Sequence, residues 1–245
     1  MKIKVLNDIA GKEVDIYTSE GLEVLTRLWI KAATHHRLMY EPSWLGIPII
    51  QLAEDIVVMQ ELIWKLKPDV IVETGIAHGG SAIFCASLLE LMGKGKVVAV
   101  DVDIRKHNEV AIRSHFLAHR INLIQGSSTD ASVIDQVRRH IKPTDRVLVT
   151  LDSNHSKAHV AKELELYSEI VTPGSYLVAM DGAQAWVSDI PKGKPEWKDD
   201  NPLAAIEDFV ARDNRFIIDD YYARLKVTAS PKGFLRRLTA AETAG

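Results

Sequence analysis

One cysteine, Cys85, is all that 245 residues contain, and a single thiol cannot close an internal disulfide. That excludes a disulfide-stapled scaffold, and the position of Cys85 inside a helical apolar pattern predicts a packed core thiol. No apolar run reaches the roughly eighteen residues a membrane span needs. The start, Met1-Lys-Ile-Lys-Val-Leu-Asn7, lacks the apolar stretch of a signal peptide, so a cytoplasmic protein without membrane contact is expected. Basic excess is missing too: 30 Lys and Arg face 33 Asp and Glu, a net charge of −3, which offers no field for nucleic acid. Repeats, low-complexity tracts and an interdomain linker are also absent. What the chain does have is 47% hydrophobic residues, enough at this length for one large core.

The densest chemistry lies in Val70-Ile-Val-Glu73-Thr-Gly75-Ile-Ala-His78-Gly79-Gly80-Ser81. An apolar run ends in an acid, turns through glycines and enters a helical pattern. A second apolar run, Val97-Val-Ala-Val-Asp101-Val-Asp103, also ends in acids. Strand, glycine turn, helix, strand and acid describe a nucleoside-binding βαβ unit. The glycine spacing misses G-x-G-x-x-G. The outer glycines of a phosphate-gripping loop are matched by Gly75 and Gly80, but Ser81 and Ala82 stand where its Lys and Ser/Thr belong. A ligand without phosphate fits better. S-adenosylmethionine carries an ammonium for Glu73 and a ribose for Asp101 or Asp103, with Gly75, His78, Gly79 and Ser81 around it.

Hydrophobic periodicity predicts an amphipathic helix over 20–38, with Leu22, Leu25, Leu28 and Trp29 on one face, and a second helix over 52–66 stopped by Pro68. Strands then alternate with helices: strands at 70–73, 96–101, 121–125, 146–151 and 175–180, helices at 80–92, 106–119, 130–141 and 156–168. Such crossovers imply a parallel sheet covered on both faces. Residues 182–203 hold three prolines, two glycines and two tryptophans without an apolar period, the mark of a lid or a disordered loop. A helix at 202–212 and strands at 215–218 and 234–238 would close the sheet with an antiparallel pair.

In such a sheet, ligands bind beyond the carboxyl ends of the strands. Gly126-Ser127-Ser128 falls there and reads equally as an adenine pocket, through Ser127, or as turn chemistry. Leu151-Asp152-Ser-Asn154-His155-Ser156 falls there too. Asp152 would lie near a transferable methyl group, and His155, an imidazole three residues on, would act as base. The alternative is that Asp152 and Ser156 merely cap a helix. Asp152 and Asp181, at neighbouring strand ends, supply two carboxylates for Mg2+, whereas Met180 adds nothing for a hard cation.

The chain resembles the bacterial cephalosporin hydroxylase family, whose fold, despite the name, is that of S-adenosylmethionine-dependent O-methyltransferases. The resemblance runs from about Trp44 to Leu238. It rests on Trp44-Leu-Gly-Ile-Pro-Ile-Ile-Gln51, Asp55-Ile-Val-Val-Met-Gln60, the glycine turn, Val100-Asp-Val-Asp-Ile-Arg-Lys-His-Asn108, Gln125-Gly-Ser-Ser128, Leu151-Asp-Ser-Asn-His-Ser156, Val171-Thr-Pro-Gly-Ser-Tyr-Leu-Val178 and Pro231-Lys-Gly-Phe-Leu-Arg-Arg237. It implies a Rossmann-like class I methyltransferase fold, with a mostly parallel seven-stranded sheet and an N-terminal helical extension. It also implies cofactor binding around Glu73 to Ser81, Asp101 and Asp103. Similarity extends to catechol-type O-methyltransferases, in which Asp152 and Asp181 match metal-ligand positions, Met180 falls where the middle ligand would be, and His155 takes the place of the basic lysine.

These readings divide the chain into an extension, 1–66, packed on a cofactor-binding core, 67–245, with a lid loop at 182–203. They predict O-methylation of a hydroxyl on a sugar or other small natural product by a homo-oligomer. Trp44, Trp186, Trp197 and the Tyr221-Tyr222 pair form an aromatic lid or an oligomer interface. Two alternatives stand beside this: an iron-dependent hydroxylase, for which His107-Asn-Glu109 mimics part of a ligand set, and a non-catalytic partner subunit that binds the cofactor.

Overall fold

The computed structural model describes residues 2–4 and 13–243. Two antiparallel strand pairs and two helices come first: β1 (Lys2–Lys4), β2 (Glu13–Asp15), α1 (Ser19–His36), β3 (Ser43–Trp44), β4 (Ile47–Pro48) and α2 (Ala53–Leu66). The alternating part follows as β5 (Val70–Thr74), α3 (Gly80–Leu91), β6 (Lys96–Asp101), α4 (Lys106–Ser114), β7 (Ile121–Gln125), α5 (Ala131–Arg139), β8 (Val147–Leu151), α6 (Lys157–Ser168) and β9 (Tyr176–Ala179). Then come α7 (Pro202–Arg212), β10 (Phe216–Ile218), β11 (Phe234–Arg237) and α8 (Ala240–Thr243).

Seven strands form one sheet in the order β10-β11-β9-β8-β5-β6-β7. β5 to β9 run parallel, and β10 and β11 join antiparallel, as expected. β5 and β8 are buried along their whole length, which is why they read as continuous apolar runs rather than alternating ones. Ile71 points to one face, where α2 and α3 pack through Met59, Leu62, Ile63, Ile83 and Leu89. Val70 and Val72 point to the other, against Val137, Leu164 and Phe209 of α5, α6 and α7. Cys85 is buried in the first of these layers. Thr74 lies level with both Val100 and Leu151, so the residues after β5, β6 and β8 emerge side by side.

Three expectations change. In α1 the buried positions are Gly21, Val24, Thr26, Ile30 and Ala33, while Leu22, Leu25 and Trp29 are exposed; the inner stripe is built of smaller side chains that approach β2 and the lid closely. α4 stops at Ser114 instead of 119. His115 turns extended and its Nδ1 accepts the Leu117 N–H, which lets Leu117 enter the core. The segment 182–203 has an ordered path, with 3-10 turns at Gly182–Trp186 and Pro195–Lys198. Its Ala183 and Val187 pack on Ile30 of α1, flanked by Trp186, Ile190 and Trp197. Lys31 pairs with Asp189 at 2.7 Å, and the Arg27 guanidinium lies over the Trp186 ring. The loop folds its own apolar side chains onto Ile30 of a helix distant in sequence, so no local period could show its fold.

Candidate active site

The glycine turn after β5 is shaped by backbone contact. Gly75 has φ +82°, and a Cβ there would stand 1.9 Å from the Asp152 carbonyl oxygen; a Cβ on Gly80 would stand 2.2 Å from the Pro48 carbonyl oxygen. These glycines admit neighbouring chain, and the turn is thereby fixed beside Asp152. Asp101 braces it from the other side, its Oδ2 accepting the N–H of Ile76 at 2.7 Å and of Ala77 at 3.3 Å. Its Oδ1 accepts the Asp103 N–H. Asp101 therefore holds the turn, and Asp103 is exposed beside it. Asn108, which sequence reasoning missed, donates from Nδ2 to the Ala77 carbonyl at 2.7 Å. His78 is partly buried in the same turn, and Ser127, past β7, shares a hydrogen bond with Thr129.

Glu73 points inward from β5 and is 3% exposed. Burial, opposed by the Ser81 hydroxyl and reinforced by the Asp101 carboxylate, pushes its carboxyl up to about 7. Its Oε2 is buried without a hydrogen-bond partner, a state that costs about 1–3 kcal/mol or more unless a donor arrives. Glu73, Ser81, Gln51, Asp152 and Met180 surround one small crevice.

A second cavity of about 490 Å³ opens on the far side of Asp152. Its walls come from the end of α1, the lid and the α2 entrance, including Ile30, Tyr40, Leu52, Val187, Ile190 and Trp197. Its acids are Asp55, Asp152 and Asp181, with His155 among them. Gln51, Asp152 and Met180 border both spaces. The aromatic lid expected from sequence is thus reduced to Trp197, joined by Tyr40. Trp44 instead packs edge-on against Phe84 and donates to Ser87. Tyr222 is buried against Tyr176 and Phe234, and Trp186 faces Arg27.

Donor atoms of Asp152, His155 and Asp181 lie within 4.8 Å of one another, the one such group of metal-ligating type among the described residues. His155 Nε2 is 3.4 Å from Asp181 Oδ2. Asp181 reaches it from a left-handed backbone, φ +58°, a conformation that costs of order 1 kcal/mol or more outside glycine. Burial and the carboxylates of Asp181, Glu73, Glu163 and Asp55 push the Asp152 carboxyl well above the usual range. Asp55, also missed, is buried, accepts from Thr228 Oγ1 at 2.5 Å and the Ala229 N–H at 2.8 Å, and is raised by burial to about 7. Met180 is 4% exposed and its sulfur accepts the Ser230 hydroxyl. The capping alternative for Asp152 and Ser156 does not hold: Ser156 makes no side-chain cap bond, and Asp200 of the lid accepts the Lys157 N–H at 2.6 Å. Nor do His107 and Glu109 converge on an ion. His107 is exposed, and Glu109 is held by Lys106 and Arg113.

Sheet order, glycine turn and paired spaces at the strand tips define a Rossmann-like methyltransferase fold. Residues 36–238 match the family described as rhamnosyl O-methyltransferase/CmcI, and the chain belongs to that family. It is 30% identical over 141 residues to a rhamnosyl O-methyltransferase of Mycobacterium leprae, covering 57% of this chain and 59% of that one. It is 28% identical over 158 residues to the Mycobacterium tuberculosis H37Rv protein of the same name, covering 61% and 63%. The chain thus spans about three-fifths of the length of the curated relatives it matches. A CmcI apo structure superposes with a TM-score of 0.58 at 22% identity, over 82% of this chain and 78% of that one. A CmcI structure with Mg and S-adenosylmethionine gives 0.57 at 21% identity over the same shares. No helix among the described residues is long and apolar enough to cross a membrane.

Proposed function

We propose that this chain is an S-adenosylmethionine-dependent O-methyltransferase acting on a hydroxyl of a sugar or other small natural product. The observation that carries the reading is the unpartnered buried oxygen of Glu73 in a crevice that shares Gln51, Asp152 and Met180 with the 490 Å³ cavity. An ammonium is the group that satisfies a buried carboxylate, and the shared wall is where a methyl group would pass from one space to the other. Glu73, Gly75, His78, Gly79 and Ser81 hold the amino-acid end of the cofactor, Asp103 its ribose with Asp101 bracing the turn beside it, and Ser127 its adenine. Asp152 flanks the sulfonium, and His155 activates the acceptor hydroxyl. The C–S bond breaks as the C–O bond forms, S-adenosylhomocysteine leaves as a neutral thioether, and the hydroxyl loses its proton on the His155 and Asp181 side.

The relatives' name, rhamnosyl O-methyltransferase, and the size and apolar walls of the cavity support a ring-sized hydroxylated acceptor. The donor set fits a divalent ion: two carboxylates and an imidazole converge, in a neighbourhood crowded with like charge. Asp152 and Asp181 would hold Mg2+ or a similar ion, whose chemistry when bound is to lower the pKa of an acceptor hydroxyl. Residues 67–245 form the cofactor core, and 1–66 roofs the acceptor cavity through α1. A cytoplasmic homo-oligomer completes the reading, with the exposed Leu22, Leu25 and Trp29 as its contact stripe. The test is transfer of labelled methyl from S-adenosylmethionine to a panel of rhamnosides and related glycosides; His155→Ala should abolish transfer while S-adenosylhomocysteine still binds. Failure of the unmodified chain to bind S-adenosylhomocysteine would refute the proposal.

A further inference from the structure

Away from both spaces, a polar cluster joins Ser128, past β7, and Ser153, past β8, through His159 and Glu163 of α6. His159 Nε2 lies 3.1 Å from Ser128 Oγ and 3.0 Å from Ser153 Oγ, and the Ser153 hydroxyl donates to Glu163 Oε1 at 2.7 Å. These contacts fix a proton on the imidazole. Ser153 gives its one proton to the carboxylate, so its oxygen can only accept from Nε2. Nε2 is therefore the N–H nitrogen, and the same N–H reaches Ser128. Glu163 is fully buried, and its second oxygen has no hydrogen-bond partner. Packing of α6 on the sheet does not call for such a group, because Val160, Leu164 and Tyr167 already make that face. A buried carboxylate with a single donor costs more there than an apolar side chain of similar volume. Its use is to orient Ser153 and His159. The two loops so joined flank the glycine turn and the loop of Ser127. A Cβ on Gly75 would stand 2.8 Å from Ser153 Cα. Ser127 and Thr129 bond to each other at 3.0 Å, while Ser128 between them turns to His159. In the sheet β5 and β6 separate β7 from β8, so no strand ladder sets the distance between these loops; His159 does.

We infer that His159 is a positioning residue for the cofactor's adenine: oriented through Ser153 by Glu163, it clamps the Gly126-Ser127-Ser128 loop to the loop that carries Asp152. This rests on the methyltransferase reading for the identity of the ligand; the clamp itself stands on the printed contacts of Ser128, Ser153, His159 and Glu163. His159 touches no reacting atom and acts through Ser128. The amino-acid end of the cofactor, held at Glu73 and the glycine turn, does not depend on it. A ligand with adenine and one without should therefore respond differently when the clamp is removed.

The experiment compares S-adenosylhomocysteine with S-ribosylhomocysteine, which lacks the adenine, by calorimetry on the full chain. His159→Ala removes two hydrogen bonds to the loops, each worth a severalfold factor, so affinity for S-adenosylhomocysteine should fall about tenfold. Affinity for S-ribosylhomocysteine should change by less than about twofold, because the perturbed loop makes no contact with it. His159→Gln, whose amide N–H takes the place of Nε2–H, should restore most of the lost affinity. Hydrogen–deuterium exchange on the ligand-free chain is the second measurement: residues 126–130 should exchange faster in His159→Ala, with residues 106–114 of α4 unchanged. If His159 only filled space, both ligands would weaken together or neither would, and Gln would serve no better than Ala. Either result overturns the inference, as does unchanged exchange at 126–130. An unmodified chain that binds neither ligand refutes the methyltransferase reading instead, and the exchange comparison still decides the clamp.

Discussion

Replacing Glu73 by Gln probes the cofactor crevice with one atom changed. The Glu73 carboxyl, ordinarily near 4.5, stands at about 7 because it is buried. At 1.36 kcal/mol per pH unit, that is about 3 kcal/mol in favour of the neutral form. Because the folded value lies above the unfolded one, the penalty is absent below about pH 4.5. It grows as pH rises from there and is complete above about pH 7. Glu73→Gln should therefore match the unmodified protein in thermal stability at pH 4.5 and exceed it at pH 8 by up to about 3 kcal/mol. For a chain of this size that corresponds to about 6–12 °C in Tm. Asp55 adds a similar slope, but it persists in both proteins and cancels in the difference. Cofactor binding should reverse the order. An ammonium that keeps Glu73 ionised would expel about three-quarters of a proton per ligand at pH 6.5. Calorimetry in two buffers of different ionisation enthalpy reads this directly. In Glu73→Gln the proton release should vanish and affinity should fall. Equal proton release in both proteins, or a stability difference that does not change between pH 4.5 and 8, would refute the reasoning.

Further outcomes follow from the same geometry. Gly75→Ala places a Cβ 1.9 Å from the Asp152 carbonyl oxygen at φ +82°, so it should lower stability by about 2 kcal/mol or more, visible as a reduced Tm, and abolish cofactor binding. Met180→Glu adds a carboxylate beside Asp181 and should raise Mg2+ affinity at least severalfold, measured by calorimetry. Ile30→Asp inserts a charge between α1 and Val187 of the lid; the KM for an acceptor should rise with the affinity for S-adenosylhomocysteine unchanged. Leu25→Glu with Trp29→Glu removes the exposed stripe of α1 and should shift sedimentation toward the monomer without lowering stability by more than about 0.5 kcal/mol.

The sheet was legible because burial on both faces writes β5 and β8 as unbroken apolar runs. Pro68, Gly79 and Gly80 also punctuate the elements around them. The strand-tip rule then brought Glu73, Asp101, Asp152 and Asp181 together from residues nearly thirty or more apart. Less visible was what depends on packing between distant segments. Nothing local marks Ile30 as a partner of Val187, so the inner face of α1 was assigned to its larger side chains. Asp55 carries no motif; its importance comes from Thr228 and Ala229, 173 and 174 residues away. Asp101 read as a ribose acceptor because the acid at a strand end is the visible signal, while its bonds to Ile76 and Ala77 depend on the three-dimensional turn. His155 read as a base because spacing alone gives its distance from Asp152 along the chain, and only the fold puts Asp181 beside it.

The central claim is tested most directly by titrating S-adenosylhomocysteine into the folded chain in a calorimeter. The account predicts a saturable heat at one ligand per chain that is lost when Glu73 and Asp103 are both neutralised to their amides. A flat titration with a protein that melts cooperatively would contradict it.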